Sequence, residues 1–159
     1  MRFTLVKKLE KDSAMKPIMV GLLVFMFMFL VSDIFVKEAN FGLNKQSISY
    51  TLFGNEEEFL DPMVKSVFLE FIHSEIFFIM MILLTLSAIF ARVSNRSKFN
   101  LLVINGVMIF ALAALVSLGL AYFYSPIFVE SYVFCSFTWN ILAFYMLFYS
   151  LWKLNAKSL

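Results

Sequence analysis

The chain has 159 residues, 62% of them hydrophobic, a formal net charge of +2 and one cysteine, Cys135. Its mean hydropathy of +0.86 is far above that of an ordinary globular domain, and four long apolar runs leave no room for a separate soluble catalytic domain. One thiol excludes an internal disulfide and a CxxC redox pair, and with them a disulfide-exchange oxidase.

In chain order, residues 1–16 are basic with a thin apolar set, Phe3, Val6 and Leu9. They suit a short helix lying in the membrane interface or a solvated tail that sets orientation. The first apolar run covers 17–36. It is longer than a signal-peptide core, and Phe35-Val36-Lys37-Glu38-Ala39 lacks a small-x-small cleavage pattern. It reads as a retained signal anchor.

Residues 37–61 form the one longer loop. Ser47-Ile48-Ser49-Tyr50-Thr51-Leu52 alternates polar and apolar as a strand does, but it has no partner strand. The expectation is an irregular loop folded over the bundle, with an interfacial helix as the alternative. Gly54-Asn55 marks a turn, and Glu56-Glu57-Glu58 reads as a solvated acidic run. Asp61-Pro62 signals a helix start, with Asp as N-cap and Pro at the first helical position.

The second apolar run covers 67–91, the third 99–124 and the fourth 132–152. Each matches the ~20 residues that a helix needs to cross ~30 Å of hydrocarbon. The third carries Ala113, Ser117 and Ala121 at the spacing that lets helices approach closely in lipid. Trp139 lies deep in the fourth run, where its N–H needs a partner. Trp152 suits the aromatic belt, and 153–159 form a short tail. The expected fold is all-α: an integral membrane bundle of four transmembrane helices in a single domain, 1–159.

The charge map sets the orientation. Arg2, Lys7, Lys8, Lys11, Lys16, Arg92, Arg96, Lys98, Lys153 and Lys157 are ten of the thirteen basic residues, and all fall on one side. Short basic flanks stay in the cytoplasm. Both termini are therefore expected inside, in a cell (inner or plasma) membrane. The expected partners are the lipid bilayer and either further copies or other membrane subunits. Nucleic acid is not among them, because a basic inner face suits anionic headgroups.

Ionisable groups at membrane depth are the candidates for chemistry. Counting 1.5 Å per residue places Asp33, Glu75, His73, Glu70 and Cys135 in one layer about 24–31 Å from the basic side, with Glu130 and Tyr132 above it. Glu70 and His73 share a helix face, while Glu75 points nearly the opposite way, towards Asp33 if the first two helices pack as a hairpin. Glu70-x-x-His73 has the spacing of di-iron bundles, but those need two such motifs. A bis-histidine haem has the same difficulty, since His73 is the one histidine. A His–Met haem, or one shared between copies, stays open. The methionines, among them Met26, Met28, Met80 and Met81, are not arrayed as copper ligands and read as apolar filler. Cys135 sits among apolar residues and reads as inert. No phosphate loop, nucleophile–base pair or HExxH is present, so no catalytic residue, metal ligand or cofactor is assigned.

The leading reading is a non-enzymatic membrane protein, a small subunit or accessory of a larger assembly. The alternative is an oligomeric proton or cation transporter using Asp33, Glu70, His73, Glu75 and Glu130. Its inward path would have to use Thr85, Asn105, Thr138 and Asn140, which scatter over three helices. A third reading is an electron-transfer subunit with haem or metal at His73.

Overall fold

The structure is a computed structural model and describes residues 15–94 and 97–156. The basic tail before Met15, Arg96 and Lys157 fall outside those residues. The chain is an all-α membrane bundle. Helices α1 (Met15–Phe41), α3 (Lys65–Val93), α4 (Lys98–Phe123) and α5 (Phe128–Ala156) are each long and apolar enough to cross a membrane. A short helix α2 (Lys45–Phe53) joins α1 to α3.

The four long helices run up and down. Phe41 meets Phe71 and Phe29 meets Phe78, which fixes α1 antiparallel to α3. Phe68 stacks on Tyr122 at 3.9 Å, joining the start of α3 to the end of α4. Phe99 meets Tyr145 and Phe110 meets Phe134, which turns α5 back along α4. Lys16, Arg92, Lys98 and Lys153 therefore share one end of the bundle, opposite α2. Helix α5 is central and touches the other four.

The expected irregular loop is a helix. Asn44 caps α2, its side chain accepting from the Ser47 N–H at 2.8 Å. Two glycines bracket the segment. Gly42 (φ 75°) ends α1 in a left-handed turn, and an added Cβ there would collide with that of Ser47. Gly54 (φ 80°) ends α2 with its N–H on the Tyr50 carbonyl. The alternating pattern loses because Ile48 and Leu52, four residues apart, are what the bundle buries. The following turn closes through paired Asn55 and Leu60 backbone bonds of 2.9 and 3.0 Å, around the exposed Glu56–Glu58.

Asp61-Pro62 does not start α3, which begins at Lys65 after Val64 without a side-chain cap. Residues 61–64 stay outside the helix because two contacts pin them. The Met63 carbonyl accepts from the Tyr122 hydroxyl at 3.0 Å. Pro62 folds back against Gly54. Ser97 caps α4 through the Asn100 N–H.

The three small residues singled out on α4 lie at unequal depth. Ser117 and Ala121 are buried, but Ala113 sits on the flank. The buried stripe is Val103, Val107, Ala111, Ala114, Ser117, Leu118 and Ala121. It faces α5, whose own small residues Ala143 and Ser150 are fully buried. Lipid is as apolar as the core, so close backbone approach and dispersion hold this pair together. Ser117→Leu and Ala121→Leu should each lower stability by about 1–3 kcal/mol through overpacking. Ala113→Leu should cost distinctly less. Thermal unfolding in one detergent checks the order, and equal losses at all three positions would count against this packing face.

Candidate functional site

The α2 end of the bundle holds a buried ion cluster. Lys37, five residues from where α1 breaks at Gly42, extends its ammonium between Asp33 and Glu75. Its Nζ lies 2.8 Å from Asp33 Oδ2 and also pairs with Glu75 Oε1. Asp33 is one helical turn before Lys37 on α1, so their side chains stack on one face. Glu75 comes from α3. The Lys37 and Glu75 residues are 7% and 8% exposed. Such burial is tolerated because each charge has an opposite neighbour within hydrogen-bond reach.

Trp139 of α5 completes the setting. Its ring lies 5.5 Å from Lys37 Nζ, within cation–π range. Tyr132, two turns earlier on the same face of α5, is also buried. Helix α2 covers the cluster. Its Ile48 joins Ile34, Lys37, Tyr132, Ser136 and Asn140 around a cavity of about 70 Å³, large enough for water. Trp139 Nε1 and Asn140 Oδ1 are buried without a protein partner.

Of the residues expected in one ionisable layer, the structure joins Asp33 and Glu75 and separates the others. Glu75 points away from Glu70 and His73, as the helical angles require. Glu70 and His73 are exposed on the outward face of α3. Glu130 is exposed and pairs with Lys45 of α2 at 2.8 Å. Such an exposed pair contributes little to stability. The common layer therefore divides into an internal cluster and two surface sites. The reason is angular: residues of equal depth on one helix face different neighbours when they differ by two positions.

The polar residues considered for an inward path mostly bond to their own helices. Thr85 Oγ1 donates to the Met81 carbonyl, Thr138 Oγ1 to Phe134 and Asn140 Nδ2 to Ser136, at 2.8–2.9 Å. Asn105 is exposed. Between the cluster and the opposite end the core is mostly apolar, with Leu23, Leu30, Leu86, Val107 and Leu147 buried, and Ser150 among the few polar side chains there. Among the described residues, no group of three or more His, Cys, Asp or Glu side chains is placed to hold a metal ion.

The residue that sequence reasoning undervalued is Lys37. Its signal was the Asp33-x-x-x-Lys37 spacing, the i,i+4 arrangement of a helical ion pair.

No curated protein and no solved structure matches this chain. Residues 42–158 match a family described as a transmembrane helical domain, named Aq_1264_TM. Glu75, Tyr132 and Trp139 fall inside that stretch, while Asp33 and Lys37 precede it. The match covers most of the chain, which therefore belongs to the Aq_1264_TM family of transmembrane helical domains.

Proposed function

We propose that this chain is a non-enzymatic subunit or accessory protein of a larger membrane assembly. Its termini lie in the cytoplasm of a cell (inner or plasma) membrane, and α2 faces the opposite side. The orientation rests on the basic residues gathered at one end and the acidic Glu56–Glu58 turn at the other.

One observation carries the functional reading. The deep charges of Asp33, Lys37 and Glu75 close on one another above an apolar core. A carrier needs groups that exchange partners along a polar route. Here the ionic groups act as a clasp between α1 and α3, and the threonines and Asn140 serve their own helices. That is the chemistry of a scaffold held in one shape.

The test is native mass spectrometry on protein gently extracted from its own membrane. The expected spectrum shows this chain in fixed stoichiometry with a second protein. Reconstituted alone in liposomes, the chain should pass no more cations or protons than empty vesicles. A chain that emerges alone or only with copies of itself, and that conducts, overturns the proposal.

A further inference from the structure

The turn between α2 and α3 holds Phe59 in a conformation that its side chain opposes. Its φ of 54° and ψ of 35° lie in the left-handed region, where a bulky residue is strained and glycine is at ease. The backbone around it is closed. Asn55 and Leu60 exchange bonds of 2.9 and 3.0 Å, and Asn55 Oδ1 accepts from the Glu57 N–H at 3.1 Å. Packing inside the chain does not repay the strain, because Phe59 is 95% exposed. The turn holds an aromatic ring out from the protein, and such strain points to a role outside the fold.

The ring stands over a contact-sized surface. With Phe53, Asn55, Glu56, Leu60 and Asp61, Phe59 borders an open hollow of about 620 Å³. Leu60 and Val64 beside it are exposed as well. Acyl chains are not what this surface meets. Counted at 1.5 Å per residue, Lys65 at the start of α3 lies about 40 Å from Arg92, about 10 Å beyond a ~30 Å hydrocarbon layer. The turn is attached at that end.

The charge selects the occupant. Residues 46–64 carry Glu56, Glu57, Glu58 and Asp61 and no lysine or arginine, a formal charge of −4. The lysines on either side are engaged elsewhere: Lys45 pairs with Glu130, and Lys65 lies over the Phe123 ring. Among the described residues, none of the four acids makes an ion pair. Anionic headgroups would repel them. A second copy would bring the same four negative charges, and Lys16, Arg92, Lys98 and Lys153 lie at the other end of the bundle. An apolar anchor ringed by one sign of charge suits a partner with an apolar pocket ringed by the other. We infer that the 54–62 turn docks a basic extramembrane segment of a different protein, with Phe59 inserted between apolar side chains and lysines or arginines facing Glu56–Glu58 and Asp61. This contact rests on the subunit proposal and names the surface through which the chain joins its assembly.

The experiment replaces Phe59 with the photoreactive p-benzoylphenylalanine in the full-length chain, irradiates native membranes and sequences the cross-linked peptide. The expected adduct is one segment of a different protein, with Lys or Arg beside apolar residues. Its yield should fall about tenfold when Glu56→Gln, Glu57→Gln and Glu58→Gln are combined, since the steering charge is lost. Phe59→Gly removes the ring and relaxes the backbone. In native mass spectra of gently extracted protein it should reduce the share of chain carrying the partner about tenfold. The same variant, purified alone, should unfold at the native temperature or above it. Adducts with lipid, with another copy or with a segment lacking basic residues overturn this docking role, as does no adduct at all. A lower unfolding temperature for Phe59→Gly overturns it too. A complex that survives both Phe59→Gly and the triple Gln variant removes the docking role and leaves the subunit proposal standing. A native chain that emerges without any second protein removes both.

Discussion

Replacing Lys37 with Met should destabilise the bundle by about 3–5 kcal/mol, because it leaves two buried carboxylates facing each other without a counter-charge. Lys37 and Asp33 stand on α1 and Glu75 on α3, so the ammonium ties the two helices through Glu75 while Asp33 braces it from its own helix, and Lys37 and Glu75 are both buried. Removing the ammonium takes away the attraction and leaves the cost of burying the acids. Two like charges at that distance also repel.

The same reasoning separates the clasp from mere burial of polar groups. The triple variant Asp33→Asn, Lys37→Met, Glu75→Gln removes every charge at once. It should recover most of the lost stability, since replacing a whole buried ionic cluster with neutral residues of similar volume is often nearly neutral. Equilibrium unfolding of the single and triple variants in one detergent measures both. If Lys37→Met is as stable as the native chain, or the triple variant is the worse of the two, the clasp is not what holds α1 in place. A steep loss in the single variant alone would show that α1 docks by charge as well as by its aromatic contacts with α3.

Much of this architecture was legible in advance, and for physical reasons. A membrane span must satisfy its backbone internally and present about 20 apolar residues to lipid, so length and hydropathy suffice to find it. The four runs from Pro17 to Trp152 are the four long helices, with ends shifted by a few residues. The shifts occur where tertiary contacts outbid local chemistry. Asp61-Pro62 carries a good start signal, yet the Tyr122 hydroxyl on the Met63 carbonyl holds the chain extended until Lys65. Helix α2 was harder to read. The segment Ser47–Leu52 satisfies a period of two along its length and a period of four at Ile48 and Leu52. Only the surface it covers decides between them.

The site was legible in depth but not in partnership. Counting residues placed Asp33 and Glu75 at one level, and helical angles turned Glu75 away from Glu70 and His73. That left the choice of neighbour to packing. Sequence order puts Lys37 just past the first apolar run, where a lysine ordinarily reaches the headgroups. In the fold α1 continues to Phe41, α2 crosses above, and the ammonium turns inward instead. No local pattern in 37–61 announces that cover.

Trp139→Ala should be the most damaging neutral substitution in the chain. Trp139 is the largest fully buried side chain, 1% exposed, at the point where α5 passes beneath the Lys37 cluster. In water-soluble proteins such a truncation costs about 3–5 kcal/mol, part of it from lost transfer free energy. In a membrane the transfer part shrinks, because the unfolded reference is lipid-solvated. The cavity part remains. A residual void of about 100 Å³, at about 24 cal/mol per Å³, costs roughly 2.4 kcal/mol. The lost cation–π contact adds about 1–2 kcal/mol, since the Lys37 ammonium is largely desolvated. Trp139→Phe separates the two contributions. It keeps an aromatic face for Lys37 and removes the indole N–H that has no protein partner. Phe should therefore be far milder than Ala. A double-mutant cycle with Lys37→Met isolates the pair: the effect of Trp139→Ala should fall by the cation–π share once the ammonium is gone. Strict additivity of the two substitutions would show that the indole acts there as volume alone.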